Sequence, residues 1–535
     1  MPSTPTYDVC VVGSGAAGGM VTKTLCEAGA KVILLEAGKE VKPTEYHSHC
    51  WPYELQFRNL RGEKQEPFYP PDIKNTIRYE NSDEVGVDRI RVLGGRTVHW
   101  NAVVLRYSAA DFRERSLQGI EEDWPISYEE LAPYYEHVEE MIGVCGNDDG
   151  LEMLPSGKHY LPPLPFRCSE HLLKRACASI GVPVIATRRA LLTRAYDKRP
   201  ACHYCGHCMD GCDVAAIYSS TGSTLPKARA TGNLTLRQNA LAREILVDSE
   251  GLARAVSIVD RVTKQEEEIK ARVIVLCCAT IESARLLLNS RSPQHPGGLA
   301  NSSGVVGRYL HGHLGSSLHV FIEEMIGMKP FNDDGALDHA LIPRWRKEAD
   351  GAYDFQINFD GRMIPHHAKR IPGYGAEYKT TVRRMQPAAL HLAGFAKVFA
   401  KPENRVTVDP KTLDPNGIPI PVVQFRFDER DVVQYKALQK SAMEIAGSLK
   451  GQIISDFGEK PGGFASHECG TVRMGSNPRT SALNRFNQAH DCKNLFVTDG
   501  SSFVTSAEKN PTLTIMALSV RAAEHIAELR KKGEL

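Results

Sequence analysis

Apolar and polar positions near the start of the chain follow the order expected for a strand, a helix and a second strand. An apolar run covers Tyr7–Val12, a glycine turn follows, a helical pattern begins after Gly15, and residues 31–35 form a second apolar run. This order, within about thirty residues, is typical of a βαβ unit with parallel strands.

The same texture returns later in the chain. Residues 273–277 form a buried strand that leads into an amphipathic helix containing Leu286, Leu287 and Leu288. Near the C-terminus, a strand over 495–498 precedes a terminal helix from residue 511 to about residue 530. These segments therefore extend the α/β pattern of the N-terminal unit.

The region between these segments has a different pattern. From about residue 316 to 462, short alternating segments such as 405–408 and 422–427 are separated by turn residues, including Asn416-Gly417. Alternation with a period of two, interrupted by such turns, predicts an antiparallel sheet.

The glycine turn after the first strand matches a dinucleotide fingerprint, Gly13-Ser14-Gly15-Ala16-Ala17-Gly18. Gly13 permits the tight turn, Gly15 lets the backbone approach a pyrophosphate, and Gly18 lets the helix pack closely on the strand. Glu36 ends the second strand, where an acid takes the ribose hydroxyls and disfavours a 2′-phosphate. The motif predicts a bound dinucleotide without separating FAD from NAD.

The predicted fold class is therefore α/β, with a discontinuous Rossmann-type cofactor domain and an inserted substrate domain. Residues 1–315 and 463–535 form the cofactor domain, and 316–462 form the substrate domain with a mostly antiparallel sheet and helices. Residues 41–88 are an irregular polar and aromatic excursion, and 142–170 are a long loop rich in glycine and proline.

Composition and charge narrow the class of protein. The chain has 535 residues, 42% hydrophobic and 24% charged, with a net charge of +1, which fits a soluble protein of two domains and does not favour nucleic acid or an anionic membrane as partner. No apolar run is long enough to span a bilayer. The N-terminus carries no basic and apolar leader, so we expect either a cytoplasmic protein or export on a signal-bearing partner.

Four further blocks carry a family resemblance. They are Leu93-Gly94-Gly95-Arg96-Thr97-Val98-His99-Trp100-Asn101, residues 275–290 with Ile281-Glu282-Ser283, His467-Glu468-Cys469-Gly470-Thr471 with Arg473-Met474-Gly475, and residues 494–517 with Asp499-Gly500-Ser501 and Asn510-Pro511-Thr512-Leu513-Thr514. In this order the chain resembles the glucose–methanol–choline (GMC) oxidoreductase family. It departs from the family pattern at Ala279 and Ala284, where glycine and proline are usual.

The resemblance implies that the dinucleotide is FAD and that the reaction oxidises an alcohol, most often on a sugar. The residues expected at the cofactor are Gly13, Gly15, Ala16, Ala17, Gly18, Glu36, Gly94, Gly95, Thr97, His99, Asn101, Ala242, Asp499, Gly500 and Thr512. In some family members a histidine at the position of His99 is joined covalently to the flavin, and in others with a similar pattern the FAD is not covalent, so both alternatives stay open.

The resemblance also implies two catalytic residues. His467 would take the hydroxyl proton, a role that suits an imidazole because its pKa lies near neutrality. Asn510 would hold the substrate oxygen, but it also precedes Pro511 at the start of a helix, where asparagine is a good N-cap. The following helix would point its positive end at the flavin.

Four of the fourteen cysteines are crowded together. Cys202, Cys205, Cys208 and Cys212 form C-x2-C-x2-C-x3-C, the spacing of bacterial ferredoxins. A single iron–sulfur cluster is the leading hypothesis, three-iron (3Fe-4S) rather than four-iron (4Fe-4S), while a structural zinc, disulfides or free thiols remain alternatives. The segment resembles that of FAD-dependent glucose dehydrogenases and glycoside 3-dehydrogenases, which implies a cytochrome c electron acceptor and a small signal-bearing subunit.

Three functions follow as hypotheses. The first is an FAD-dependent sugar or glycoside dehydrogenase that oxidises C3 or C1 of a pyranose. The second is an oxidase of the same family that makes hydrogen peroxide. The third is a cofactor-binding protein without turnover, against which His467 and Asn510 argue.

Overall fold

The computed structural model describes residues 7–46, 48, 76–83, 85–87, 89–329, 337–346, 352–359, 368, 370–455, 457–463 and 466–535. Most of the excursion expected over 41–88 lies outside these residues. Where the structure describes the chain, no helix is both long and apolar enough to cross a membrane.

The βαβ unit predicted at the N-terminus and the predicted terminal strand and helix are present among the described elements. The strands are β1 (Tyr7–Val12), β2 (Val32–Leu35), β3 (Arg78–Tyr79), β4 (Ile185–Ala186), β5 (Leu234–Arg237), β6 (Ala240–Val247), β7 (Ala253–Asp260), β8 (Glu266–Leu276), β9 (His313–Phe321), β10 (Ala340–Ile342), β11 (Tyr353–Phe359), β12 (Ala389–Lys397), β13 (Arg405–Leu413), β14 (Pro419–Gln424), β15 (Gln452–Ser455), β16 (Gly462–Gly463) and β17 (Leu495–Val497). The helices are α1 (Ala16–Glu27), α2 (Glu114–Gln118), α3 (Tyr128–Ile142), α4 (Cys168–Ser179), α5 (Thr224–Ala230), α6 (Thr280–Asn289), α7 (Gly375–Met385), α8 (Glu429–Ser448) and α9 (Thr512–Lys532).

The first sheet positions the nucleotide fingerprint. Its strand order is β5-β2-β1-β8-β7-β6, and β17 pairs with the C-terminal part of β8. Strands β5, β2, β1, β8 and β17 are parallel to one another, whereas β7 pairs antiparallel with both β8 and β6. All four residues of β2 are buried, as expected for a strand covered on both faces. Helices α1 and α9 pack on one face through residues such as Val21, Leu25 and Ile526.

The second sheet has the order β15-β9-β12-β11-β10-β4, with β16 paired to β9. Neighbouring strands are antiparallel. One face is apolar and packs on α8, for example Phe355 and Leu392 against Leu438. Because side chains alternate along a strand, the other face carries polar residues, among them His313 and Gln356.

The structure confirms the predicted fold class, a mixed α/β fold with a Rossmann-like sheet and an antiparallel sheet. The segments 405–408 and 422–427 fall largely within β13 and β14, which pair antiparallel but form a separate three-stranded sheet with β3. Strand β4, far upstream, joins the large antiparallel sheet. The domain boundaries at 315/316 and 462/463 therefore stay a prediction, with β9 already beginning at His313.

Candidate active site

A cleft with a cavity volume of about 250 Å³ opens at the carboxyl ends of β1 and β2, the edge where α/β sheets bind ligands. Eleven of the predicted cofactor residues line it: Gly13, Gly15, Ala16, Ala17, Glu36, Gly95, Thr97, Ala242, Asp499, Gly500 and Thr512. The other four, Gly18, Gly94, His99 and Asn101, lie outside its lining.

The fingerprint turn has the tight geometry that glycine allows. Gly13 has φ of +98°, and a Cβ there would lie 2.4 Å from the carbonyl oxygen of Cys277. A Cβ at Gly18 would lie 1.8 Å from the carbonyl oxygen of Gly13. At Gly15 the nearest atoms to a Cβ are 4.0 Å away, on the loop of Gly94 and Gly95. The backbone at Gly15 is therefore open to the cleft, at the N-terminus of α1, where a phosphate binds well.

Glu36 holds this turn to the end of β2. Its Oε2 accepts from the Ser14 backbone N–H (3.1 Å) and from the Ser14 hydroxyl (2.5 Å), and its Oε1 accepts from the Gly38 N–H (2.8 Å). Burial raises the pKa of the Glu36 carboxyl. The Ser14 hydroxyl in turn accepts from the Gly94 N–H over 2.9 Å. The acid expected at the ribose thus lines the cleft and also joins two glycine loops.

Asp499 connects the last strand to the turn before α6. Its Oδ1 accepts from the backbone N–H and the hydroxyl of Ser501, over 2.9 and 2.5 Å. Its Oδ2 accepts from the Ser283 hydroxyl (2.6 Å) and the Ala279 N–H (3.1 Å). Ala279, where the family usually has glycine, has φ of +70°, which explains the usual residue.

Four guanidinium groups line the same cleft, on Arg89, Arg91, Arg96 and Arg285. Sequence reasoning did not assign them, although Arg89 and Arg91 directly precede the Gly94-Gly95 loop. Burial and the neighbouring guanidiniums hold the pKa of Arg89 well below its usual range. Arg89 and Arg285 both pair with Glu282, and Arg96 pairs with Glu468. The feature that fits the diphosphate of FAD is therefore the open glycine turn at the N-terminus of α1.

His467 and Asn510, the predicted catalytic pair, lie together, with 3.3 Å between His467 Nε2 and Asn510 Nδ2. The Asn510 Oδ1 accepts from Gln356 Nε2 over 2.8 Å. Burial, and the nearby His313 and Arg96, hold the pKa of His467 well below its usual range, so the imidazole is neutral at pH 7. The N-cap position of α9 is Pro511, without a side-chain cap bond. The Asn510 side chain is therefore directed to His467 rather than to the helix.

Both residues lie beside the cleft in sequence and in space. Ser466 and Glu468 flank His467 and line the cleft, as does Pro511 next to Asn510. Arg96, which follows Gly94-Gly95, connects that loop to the segment around His467. Its Nη1 donates to the Ser466 carbonyl (2.7 Å) and to Glu468 Oε2 (2.9 Å). Gln356, on β11 of the second sheet, was missed by sequence reasoning because no local motif marks it.

His99 and Asn101 do not line the cleft, and their place at the cofactor stays a prediction. Asn101 Nδ2 donates to Asp338 Oδ2 over 2.6 Å, and the Asn101 carbonyl accepts from the Arg189 guanidinium. The Asn101 side chain therefore faces the second sheet, at the residues that precede β10. His99 follows the short 3₁₀ helix Gly95–Val98 as its C-cap. A covalent link from His99 to a flavin stays a hypothesis.

The four clustered cysteines are free thiols. Cys208 is buried, Cys202 and Cys212 are half-buried, and Cys205 is exposed. The Tyr204 N–H donates to Cys202 Sγ over 3.3 Å, and burial raises the pKa of Cys202 to about 12. Across the described part of the chain, no group of three or more His, Cys, Asp or Glu side chains is placed to hold a metal ion. An iron–sulfur cluster or a zinc site at these thiols therefore stays a prediction.

Comparison with known families agrees with this site. The GMC oxidoreductase model matches residues 7–315, and a second GMC oxidoreductase model matches residues 400–519. The chain belongs to the GMC oxidoreductase family. The family resemblance found in the sequence is confirmed. This GMC oxidoreductase acts on CH–OH groups, and FAD is its expected cofactor.

Relatives extend over nearly the whole GMC chain. It is 31% identical to the 2-methyl-1,2-propanediol dehydrogenase of Mycolicibacterium austroafricanum, covering 97% of this chain and 95% of that protein. It is 27% identical to the fructose dehydrogenase large subunit of Gluconobacter japonicus, with 98% of each covered. The paromamine 6′-oxidase of Streptomyces fradiae is also 27% identical, over 97% of this chain and 91% of that protein.

A solved structure supports the fold alone. Pyridoxine 4-oxidase from Mesorbium loti superposes with a TM-score of 0.67 at 18% identity, covering 97% of this chain and 99% of that chain. Since the sequence relatives include both dehydrogenases and oxidases, the family alone does not choose the electron acceptor.

Proposed function

We propose that this protein uses FAD to oxidise a hydroxyl group of a sugar or glycoside, at C3 or C1 of a pyranose ring. The observation that carries the proposal is the pair His467 and Asn510, whose facing nitrogens are 3.3 Å apart beside the cleft. Of the predicted cofactor residues, eleven line that cleft, so a substrate held at the pair would lie next to the cofactor.

His467 supplies the base. Its lowered pKa keeps the imidazole unprotonated at neutral pH, so it can take the proton of the substrate hydroxyl as the C–H bond breaks. Asn510 Nδ2 donates to the substrate oxygen and holds the reacting carbon in place. The residues that line the cleft would hold FAD, which would supply an acceptor for the hydride from that carbon.

The relatives support a hydroxyl-rich substrate. One is named for fructose and one for paromamine, an amino sugar. The relative at 31% identity is named for a small diol, which makes a vicinal diol unit the feature that these substrates share with a pyranose. The substrate panel must therefore include sugars, glycosides and short diols.

The electron acceptor is the finer part of the proposal. A dehydrogenase passing electrons to a cytochrome c is favoured by the C-x2-C-x2-C-x3-C spacing and by the relative named as a large subunit, which also favours a small, signal-bearing partner. The described side chains include no group placed to hold a metal ion, so we derive no step through a cluster. Iron and acid-labile sulfide in anaerobically purified protein would support the iron–sulfur cluster, and their absence would exclude the cluster.

An oxidase is the second candidate, favoured by the relative named paromamine 6′-oxidase. Oxygen would then take the electrons directly and form hydrogen peroxide. Peroxide released in air in step with substrate oxidation would establish the oxidase; substrate oxidation that needs an added acceptor would establish the dehydrogenase.

Anaerobic reduction by the substrate panel tests the central claim. The visible flavin band should bleach with at least one sugar, glycoside or diol, and NMR of the product gives the oxidised carbon. His467→Gln should bleach roughly 10²- to 10⁴-fold more slowly, because the base is lost, while dithionite reduces both proteins equally. If no substrate bleaches a flavin that dithionite reduces, the proposal is wrong.

A further inference from the structure

A second histidine lies directly behind His467. His313, at the start of β9, is 1% exposed. Its Nδ1 is 2.7 Å from His467 Nδ1, and its Nε2 is 2.6 Å from the carbonyl oxygen of Ala507. The two imidazole rings are nearly perpendicular, with 88° between their planes and 4.7 Å between centroids. One hydrogen bond thus connects the two imidazole rings, and a second connects His313 to the backbone carbonyl of Ala507, shortly before Asn510.

These two hydrogen bonds determine which ring nitrogen of His313 and of His467 carries a hydrogen. A carbonyl oxygen can only accept, so His313 Nε2 carries a hydrogen and donates it to Ala507. His313 is neutral, since burial and Lys509 lower its pKa to about 4 against the opposing effects of the Ala507 carbonyl and Glu508. Its Nδ1 therefore has a lone pair and accepts. His467 Nδ1 must then carry the hydrogen, which leaves the lone pair of His467 on Nε2.

The other side of His467 gives the same answer independently. Gln356 Nε2 donates to Asn510 Oδ1 over 2.8 Å, so the Asn510 amide turns its NH₂ group toward His467. An NH₂ group donates, and His467 Nε2 must accept. The reverse tautomer would place two donors against each other at 3.3 Å and two acceptors against each other at 2.7 Å.

We propose that His313 is a positioning residue that holds His467 in the Nδ1–H tautomer, so that Nε2 is the atom that takes the substrate proton. This inference rests on the proposed function in one respect, that His467 is the base. The substrate O–H proton moves to Nε2 and the hydride leaves the same carbon for the flavin. The Nδ1–H bond of His467 is not broken, and His313 gains no proton.

A neutral partner has a chemical consequence that a carboxylate would not have. A carboxylate behind the base would stabilise the imidazolium and raise the pKa of His467. His313 orients the ring without adding a negative charge. The aromatic neighbour of the two histidines is also uncharged. The centroid of the Phe395 ring lies 6.0 Å from that of His313 and 5.7 Å from that of His467. The charged groups that act on the pair are Arg96, Glu508 and Lys509.

Two substitutions separate orientation from packing. In His313→Asn the amide oxygen can occupy the position of Nδ1 and accept from His467, while the bond to Ala507 is lost. In His313→Gln the longer side chain can donate to Ala507 in place of Nε2, but it offers His467 no acceptor. With the substrate that bleaches the wild-type flavin, we expect the anaerobic reduction rate to fall less than about threefold in His313→Asn and about tenfold to a hundredfold in His313→Gln.

His313→Asp adds a pH readout that a packing role would not move. The new carboxylate should raise the pKa of His467 and shift the rise in the reduction rate to higher pH. Arg96, Glu508 and Lys509 are unchanged in this variant, so the shift would belong to position 313. Equal slowing by His313→Asn and His313→Gln, with no shift in His313→Asp, would overturn the proposal.

The tautomers can also be observed without any substrate. In holoenzyme labelled with ¹⁵N-histidine, two-bond ¹H–¹⁵N correlations distinguish Nδ1–H from Nε2–H rings, and His467 is assigned by its loss in His467→Asn. We expect His467 as Nδ1–H and His313 as Nε2–H in the wild type. His467 found as Nε2–H would overturn the inference. If no substrate reduces the flavin, the proposed function fails, whereas these spectra still decide the tautomer.

Discussion

Ala279 departs from the family pattern, and its backbone conformation is strained. It has φ of 70° and ψ of 160° in the turn between β8 and α6, a region that is essentially restricted to glycine. Its N–H donates to Asp499 Oδ2 over 3.1 Å, and Asp499 and its neighbour Gly500 line the cleft. The hydrogen bonds around Asp499 therefore hold the turn in place against the strain.

Ala279→Gly should stabilise the protein. Relief of a strain of roughly 1–3 kcal/mol, less about 0.5–1 kcal/mol for the greater freedom of glycine in the unfolded chain, gives a gain of about 1 kcal/mol. Ala178, exposed in the last turn of α4, is the control, since Ala178→Gly should lose up to about 1 kcal/mol. Denaturant unfolding measures both, and a loss of stability in Ala279→Gly would contradict the strain.

Individual site residues were predictable only where a local motif marked them. His467 and Asn510 follow from their sequence blocks, and the structure places them 3.3 Å apart. Gln356 contacts Asn510 across a separation of 154 residues, and His313 contacts His467 across the same separation. The roles of Gln356 and His313 depend on which strands pair and on which face of the sheet each side chain lies. The residues around them in the sequence do not indicate either.

At the scale of elements, the turn from β1 into α1 shows how closely two elements must pack to form the cleft. The helix begins at Ala16, directly after Gly15. The absence of a side chain at Gly18 lets α1 approach the end of β1, where the carbonyl oxygen of Gly13 occupies the position that a Cβ would take. The position of α1 sets the direction of its N-terminus toward the cleft.

Gly18→Ala should therefore move α1 and weaken cofactor binding. A methyl group 1.8 Å from a backbone oxygen cannot be accommodated without a shift, at a cost of about 1–3 kcal/mol, and the flavin content after gel filtration should fall. Gly447, exposed near the end of α8 with open space around its Cβ direction, is the matched control. Gly447→Ala should keep its flavin and gain a few tenths of a kcal/mol or more. Full flavin retention in Gly18→Ala would show that the packing is looser.

The pattern predicted the elements that flank the cofactor motifs, but not the strands with which each element pairs. The first strand is found at Tyr7–Val12 as predicted, and the buried strand over 273–277 falls within the longer β8 and just beyond its end. Alternation predicted antiparallel strands in this region, and β13 and β14 do pair antiparallel, but period and turns do not say which sheet a hairpin joins. Strand β4 has two residues, too few to give a pattern at all.

At the scale of the whole molecule, buried ion pairs join segments that are far apart in sequence. Lys397, in β12 of the antiparallel sheet, has its Nζ 2.9 Å from a Glu114 oxygen and 3.3 Å from a Glu121 oxygen. Lys509, just before α9, has its Nζ 2.9 Å from Asp111 and 2.7 Å from Glu508. These side chains are only 2–4% exposed, so each lysine compensates two buried carboxylates at once.

Lys397→Met should destabilise the protein by roughly 3–5 kcal/mol, because it leaves two buried carboxylates without a cation. Burial already raises the pKa of Glu114 to about 7, with Lys397 opposing the rise. Since this pKa is above that of the unfolded chain, the contribution of Glu114 to wild-type stability falls with rising pH only up to about pH 7. Without Lys397 the pKa of Glu114 rises further, so its contribution continues to fall above pH 7. The deficit measured by denaturant unfolding should therefore grow between pH 7 and 9. Lys401→Met, at a pair 3.9 Å apart and 18–26% exposed, should cost less than about 1 kcal/mol, and an equal loss in both variants would contradict the role of the buried pair.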